Sequence, residues 1–395
     1  MTNSDLHKRD QQHYLKTFGR FPIAIEKGLG SRVWDVEGKE YIDALAGIAV
    51  NNVGHCHPKV VDAIKEQAAT LMHISNFFVN KPQVELAEKL TQLSGMARAF
   101  FTNSGAESVE GAIKIARKYA HSIGRGGTIV SFHGSFHGRT MATIATGKAK
   151  MQAGFEPIPS GFKQVPFNDI EAVKAVINED IAALLIEPIQ GEGGVNVADK
   201  NYLKELKAIC EANNIVLIFD EVQCGMGRTG HYFAKDYFGI QPDIMTLAKA
   251  LGNGVPIGAI LSNEKVSEPM QPGDHGTTFG GNPLVCAVAL ATLGVLEEEN
   301  LLKEATEKGD WLKNEIAKMN DPSVKEVRGL GLMLGVEFNF MTKPLVVEML
   351  KNGVIANATA DNVLRLVPPL NITYEELEVI MTCLKKSLKT IKEHV

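Results

Sequence analysis

A mainly parallel α/β sheet with helices on both faces, joined to a smaller α+β unit, is the architecture this sequence predicts. Strand-like and helix-like segments alternate from about residue 58 to residue 285, and after Pro283 the alternation gives way to long helical patterns and shorter strands. Length points the same way, because 395 residues exceed what one hydrophobic core normally serves. The expected division is an N-terminal segment (1–57) packing with the small domain, a large domain (58–285) and a small C-terminal domain (286–395).

In chain order, Trp34-Asp-Val-Glu-Gly-Lys-Glu-Tyr41 carries a hairpin signal. Pro58 sits at a first helical position, with Val61, Ile64, Ala68 and Leu71 at helical spacing, and a second helix runs from about Pro82 to Gly95 on Leu86, Leu90 and Leu93. Ala99 to Asn103 reads as a strand. It leads into a helix start at Ser104-Gly-Ala-Glu107, where Ser104 and Glu107 have capping-box spacing. Strands follow at Thr128–Phe132 and Ile181–Glu187, then a helix near Leu203–Asn213. The run Ile215-Val-Leu-Ile-Phe-Asp220, bounded by Asn213-Asn214 and Gly225, has the unbroken apolar character of a buried parallel strand. Beyond Pro283, strands are expected at Leu330–Phe338 and Val363–Val367. The final helix opens on a capping box, Thr373 and Glu376, and its stripe of Leu377, Met381, Leu384, Leu388 and Ile391 reads as core.

Composition narrows the function classes. Hydrophobic residues make up 45% of the chain and the net charge is −5 with dispersed basic residues, so nothing asks for nucleic acid or an anionic membrane. The first twenty residues are polar, without a signal-peptide core, and no apolar run approaches the ~20 residues of a membrane span. A cytosolic protein is expected. Five cysteines, Cys56, Cys210, Cys224, Cys286 and Cys383, lack C-x-x-C spacing and read as free thiols, with Cys224 the one placed near the chemistry.

That chemistry centres on Lys249. It lies in the apolar stretch Ile244-Met-Thr-Leu-Ala-Lys249-Ala-Leu, while Asp220 should emerge at the C-terminal end of its strand, where open α/β sheets hold ligands. An isolated lysine is ordinarily a surface side chain and an isolated aspartate a turn residue. What changes the balance is the helix start at Ser104, whose backbone amides, uncovered at Gly105 and Ala106, suit a phosphate. A lysine in apolar surroundings that disfavour its ammonium is a candidate for imine chemistry with a carbonyl, the obvious one being pyridoxal phosphate, with Asp220 as partner of its ring nitrogen. Two patterns are discounted. Gly225-Met-Gly227-Arg-Thr-Gly230 matches a dinucleotide fingerprint but precedes a short aromatic segment in place of a long helix. His133 with His137, and His55-Cys56-His57, lack the further ligands of a metal site, so no metal is expected.

Six motifs in order, Ser104-Gly-Ala-Glu107, Ser135-Phe-His-Gly-Arg-Thr140, Glu187-Pro-Ile-Gln-Gly-Glu-Gly-Gly194, Asp220-Glu-Val-Gln223, Lys249 and Thr277-Thr-Phe-Gly-Gly-Asn-Pro283, resemble the class III pyridoxal-phosphate aminotransferases of fold type I. The likeness runs from Gly30 to Pro368 and implies a seven-stranded large-domain sheet. It also implies Lys249 as the Schiff-base lysine and proton shuttle, and Asp220 as the residue that keeps the ring nitrogen protonated. Ser104, Gly105 and Ala106 would hold the phosphate, Phe136 and Val222 the two ring faces, with Glu221 and Gln223 beside the ring. Thr278 would reach the phosphate of a neighbouring subunit's cofactor, implying a homodimer with shared sites, and Thr277 would lie near substrate. Arg139 would anchor the donor's α-carboxylate. Glu187 would cover Arg365 during one half-reaction and release it to bind 2-oxoglutarate or glutamate in the other. Ala46-Gly-Ile-Ala-Val50 and Phe136-His-Gly-Arg139 resemble the branch of the family that uses N2-acetyl-L-ornithine as amine donor, and Phe18, without a tyrosine hydroxyl, fits an acylated α-nitrogen. Other ω-amine donors, an aminomutase of the same fold and a nicotinamide-dependent dehydrogenase are the alternatives.

Overall fold

The Asp220 run lies in the middle of a seven-stranded sheet. The structure, a computed structural model, describes residues 1–393. In chain order the strands are β1 (Arg98–Thr102), β2 (Thr128–Phe132), β3 (Phe162–Val165), β4 (Ile181–Ile186), β5 (Val216–Asp220), β6 (Ile244–Leu247) and β7 (Gly258–Ser262), arranged β1-β7-β6-β5-β4-β2-β3. β2 to β6 are mutually parallel, and β7 runs antiparallel to both its neighbours. Every residue of β4 and β5 is buried, because helices cover both faces and remove any need for polar alternation. The period of two survives in the packing. Leu184 and Ile186 join the cluster under the helix Lys200–Asn213 through Leu203 and Leu206, whereas Ala183 and Leu185 join the opposite one, with Val109, Ile113 and Ala116 of the helix Gly105–Ser122.

A second sheet is antiparallel throughout: β8 (Val324–Leu330), β9 (Met333–Phe338), β10 (Asn357–Thr359) and β11 (Val363–Leu366), in the order β8-β9-β11-β10. The stretch Leu330–Phe338, expected as one strand, instead holds the end of β8, a turn at Gly331-Leu332 and all of β9. Apolar character continued across a turn that is itself buried, so the break left no polar mark. The hairpin around Trp34 forms as Arg32–Asp35 and Glu40–Asp43, and the latter pairs in parallel with Val354–Ile355. The last helix, Tyr374–Glu393, has its capping box: Thr373 N donates to Glu376 Oε2 (3.0 Å) and Glu376 N to Thr373 Oγ1 (3.2 Å). Among the described residues no helix is long and apolar enough to cross a membrane.

The C-terminal ends of the parallel strands deliver the polar residues. Asp220 ends β5, Glu187 follows β4, Lys249 follows β6, and β1 leads through Asn103 to the helix beginning at Gly105. A hydroxyl network fixes these ends together: Thr102 Oγ1 and Ser108 Oγ lie 2.7 Å apart, and Ser108 Oγ reaches both Ser104 O and Leu247 O at 3.1 Å. Gly258, opening β7, passes directly beneath this network, where a Cβ would overlap the Thr102 and Ser108 hydroxyls and lie 2.7 Å from Ser104 O. Gly258→Ala should therefore destabilise the protein by about 1–3 kcal/mol, as overpacking does. Urea unfolding of variant and parent checks this, and an unchanged midpoint would show that strand and helix start separate freely.

Candidate active site

A cavity of about 410 Å³ opens over these strand ends, lined by Ser104, Gly105, Ala106, Phe136, Arg139, Glu187, Asp220, Val222, Gln223 and Lys249 among others. At one side stands the N-terminus of the helix Gly105–Ser122. Ser104 Oγ caps it by accepting from Glu107 N (3.2 Å), while Glu107 reaches one residue further than the box predicts, accepting from Asn103 N (2.7 Å) and Asn103 Nδ2 (2.9 Å). The amides of Gly105 and Ala106, in the first helical turn, have no intrahelical acceptor and border the cavity, an arrangement suited to an anion.

Asp220 is buried and accepts three hydrogen bonds: from Val222 N (3.1 Å), from Thr246 Oγ1 (3.1 Å) on the paired residue of β6, and from His137 Nδ1 (2.7 Å). His137 is the partner of Asp220, and its Nε2 is buried without a hydrogen-bond partner. Burial pushes the imidazole down, yet the hydrogen bond and charge of Asp220, with the charge of Glu187, outweigh it and hold His137 above its ordinary value. Among the described residues no group of three or more His, Cys, Asp or Glu side chains could hold a metal.

Lys249 follows β6 with φ +45°, a left-handed backbone that few non-glycine residues adopt. Burial pushes its ammonium below the ordinary lysine value and Arg365 adds to that, against Glu192, Asp220 and Glu187. A second left-handed stretch, Ala46 to Ala49 (φ between 49° and 69°), precedes the cavity-lining Val50. It begins where Asp43 Oδ1 accepts from Leu45 N and Ala46 N. Such strain is held only where surrounding contacts over-determine it, as at a binding site. No propensity in Ala-Gly-Ile-Ala foretold it.

Several expected residues are placed differently. Glu187 does not meet Arg365: its Oε2 accepts from Phe136 N at 3.0 Å, and burial raises its carboxyl to about 7, opposed by His137. The partner of Arg365 is Glu192, five residues on, with Arg365 Nη1 2.5 Å from Glu192 Oε1 and 3.1 Å from Gln223 Oε1. Glu187 follows β4, and Glu192 lies in the turn that joins the short strands Ile189–Gln190 and Asn196–Val197, so their order in the motif does not say which faces the small sheet. Burial acts to raise Glu192, but the charge and hydrogen bond of Arg365 outweigh it and hold the carboxyl below its ordinary range. Glu221 faces away from the cavity, accepting from Ala234 N and Lys235 N (2.8 Å) at a helix start, and burial pushes it up to about 8. Thr277 is held by Asn103 Nδ2 (3.2 Å) at the rim, while Thr278 is exposed, in a small cleft with His73 and Asn76. Phe18 is 67% exposed and does not line the cavity. Cys224 is a buried free thiol, pushed well above its ordinary value by burial. The glycines of 225–230 lead into the short helix Ala234–Phe238. They carry the buried Arg228, which donates to Leu332 O (2.9 Å), Pro368 O and Asn52 Oδ1.

The family model for aminotransferase class-III matches residues 14–388. An acetylornithine aminotransferase of Methanocaldococcus jannaschii is 54% identical over 391 residues, covering 97% of this chain and 98% of that one. Among solved structures, the acetylornithine aminotransferase of Elizabethkingia anophelis superposes with TM-score 0.87 at 36% identity (98% of this chain, 99% of that). The ornithine aminotransferase of Toxoplasma gondii, with pyridoxal phosphate at partial occupancy in its active site, superposes with TM-score 0.95 at 35% identity (100% and 96%). The chain belongs to the class-III aminotransferases, enzymes that work with pyridoxal phosphate. Its cavity fits that group on its own terms: a helix N-terminus for a phosphate, a buried carboxylate braced by three donors, and a lysine whose neutral form burial favours.

The raised Glu187 carboxyl has a measurable sign. Its contribution to stability is fully present below its ordinary value of 4.5 and is lost as pH rises through about 7. Against Glu187→Gln, the parent's relative stability should fall with a slope of up to about 1.4 kcal/mol per pH unit across that window. Urea unfolding of cofactor-free protein at several pH values measures it, and parallel curves would mean that Glu187 titrates alike in folded and unfolded chains.

Proposed function

We propose that this protein transfers the terminal amine of N2-acetyl-L-ornithine to 2-oxoglutarate, giving N-acetyl-L-glutamate 5-semialdehyde and L-glutamate, a step of arginine biosynthesis. The observation that carries the reaction class is the convergence of Lys249, Asp220 and the Ser104 helix start on one cavity. The 54% identity to an acetylornithine enzyme supports the donor. Pyridoxal phosphate, when bound, supplies an electron sink for the carbon that carries the amine. Gly105 and Ala106 would receive its phosphate, Asp220 its ring nitrogen, Phe136 and Val222 its faces and Gln223 its ring hydroxyl. His137, donating through Nδ1, holds the Asp220 carboxylate in place.

Lys249 Nζ is the base and acid of the reaction. Burial favours its neutral form, which can accept the proton from the amine-bearing carbon and return it on the far side of the amine nitrogen. Arg139 at the cavity lining offers a guanidinium fork to the donor's distant carboxylate. The second substrate carries a carboxylate next to its reacting carbon, and Arg365 would take it. The Arg365 Nη2 is buried without a partner, and Glu192 occupies Nη1 until such a carboxylate replaces it.

We read the working unit as a homodimer, in the cytosol. Phe77 is 94% exposed, Val79 85% and Phe279 61%, and His73 stacks against Phe279 at 5.5 Å, so an apolar surface surrounds Thr278. A patch of this kind is what a second copy would cover. Thr278 lies outside the cavity of its own chain, which supports the reading that it reaches the phosphate in a partner's site. The structural likeness to ornithine aminotransferase supports a second reading, with unacylated ornithine as donor.

Lys249→Ala should bind pyridoxal phosphate without covalent attachment, so borohydride fixes no label, and should lose turnover by orders of magnitude. A label fixed on another lysine would remove Lys249 from its role. A donor panel against 2-oxoglutarate separates the readings: acetylornithine should be preferred, ornithine ahead of it would reverse the assignment, and turnover without any keto acid would indicate an aminomutase. In subunit mixing, inactive Lys249→Ala chains combined with an inactive Thr278 variant should regain partial activity. None, with exchange verified, would mean that each chain builds its own site.

A further inference from the structure

The carboxylate of Glu192 rides on a glycine-rich loop, and the small sheet grips that loop beside the point where Arg365 meets Glu192. Strand register places Arg328, Gly335, Arg365 and Asn357 in one row across β8, β9, β11 and β10. Directly opposed residues share a face, so two arginines flank a position that has no side chain. The loop sits over that gap: a Cβ on Gly335 would lie 2.9 Å from Val195 Cβ and 3.1 Å from Gly194 O. On one side Arg365 holds the Glu192 carboxylate. On the other, Arg328 donates to Gly194 O through both Nε (3.0 Å) and Nη2 (2.8 Å). Its remaining nitrogen, Nη1, donates to Glu326 Oε2 (2.7 Å) and Glu337 Oε2 (2.6 Å), which fix the fork's direction. Thr359 Oγ1 ties the same loop at Glu192 O (2.8 Å).

We propose that Arg328 is a positioning residue for substrate choice: its grip on Gly194 O sets how firmly Glu192 covers Arg365, and hence how well the protein binds substrates with a carboxylate next to the reacting carbon. This rests on the reading of Glu192 as the cover of Arg365. Lysine in place of Arg328 could offer only a point charge and could not make the paired bond to one carbonyl while holding Glu337. A loosened loop frees Arg365. The consequence is opposite in sign to damage, because dicarboxylate binding tightens while the acetylornithine half-reaction, which needs Arg365 covered, suffers.

The experiment uses holoenzyme of the parent, Arg328→Gln, Arg328→Lys, Glu192→Gln and the double variant Arg328→Gln/Glu192→Gln. Glutarate, a dicarboxylate that cannot react, is titrated as an inhibitor, and the two half-reactions are followed separately. Arg328→Gln should bind glutarate more tightly and lower the KM for 2-oxoglutarate by on the order of tenfold, raise the donor KM, and add nothing in the Glu192→Gln background. Arg328→Lys should lie between Arg328→Gln and the parent. Equal losses in both half-reactions, or effects that add to those of Glu192→Gln, overturn the proposal. If Glu192→Gln itself leaves glutarate binding unchanged, the cover and its positioning fall together. If Glu192→Gln tightens glutarate while Arg328→Gln does not, only the role of Arg328 falls. Should Arg328→Gln fail to fold, Thr359→Val removes the other tether and must shift the same selectivity in the same direction, or the proposal fails.

Discussion

The pairing of Asp220 with Thr246 across β5 and β6 is the contact on which the site depends. It places a carboxylate at the end of one strand and fixes its distance from Lys249, three residues past Thr246 on the next. Asp220 is buried and Lys249 half-buried, so the surrounding structure must offset two partly desolvated charges. Thr246, Val222 and His137 do so for Asp220, and Glu192, Asp220 and Glu187 for Lys249. Three acids and four cationic groups, counting His137, Arg139 and Arg365, therefore share the site. The acids are made unlike by their partners. Glu192 is held low by a guanidinium, while Glu187 is raised to about 7 by burial and the charge of Asp220, against His137, Lys249 and one backbone amide. Sequence-identical glutamates thus acquire different chemistry through what each can reach.

The same dependence explains what could be read from the chain. The strand ending at Asp220, the helix start at Ser104 and the apolar setting of Lys249 were legible, because burial on both faces of a sheet leaves an unbroken apolar run and a cap leaves a short polar signature. His137 was not legible. Its partner is 83 residues away in sequence, and its spacing from His133 imitates a metal pattern. The reversal of β7 left no mark, since Gly-Ala-Ile-Leu-Ser suits a buried strand in either direction. The exchange of Glu187 for Glu192 as partner of Arg365 was not legible either, since one motif carries both residues, one after β4 and the other in the turn that follows.

Positions that face outward from a single chain pose a different problem. Thr278, Phe279 and the segment through Phe77 are exposed together. Apolar periodicity reports that a residue is covered and not which copy of the chain covers it. Phe18 belongs to the same class: its position depends on an N-terminal segment whose helix Asn3–His13 buries none of its own residues.

On the proposed reading of Arg365 as the anchor of the second substrate, exposure decides why the acid and not the base should move. The Arg365 side chain is 0% exposed, whereas that of Glu192 is 29% exposed. Stripping a buried guanidinium of its partner costs about 3–5 kcal/mol, because an uncompensated charge is left in a poorly polarisable setting. Arg365 must therefore keep a carboxylate at all times. Glu192 is already partly in water, so its release costs far less, provided an incoming carboxylate takes its place within the same step. Exchange of one carboxylate for another leaves the charge count of the site unchanged, and the energy that decides between them lies in how rigidly the protein presents its own. That rigidity is set outside the cavity, along the row of the small sheet in which Gly335 leaves room for the loop and arginines stand on either side of it.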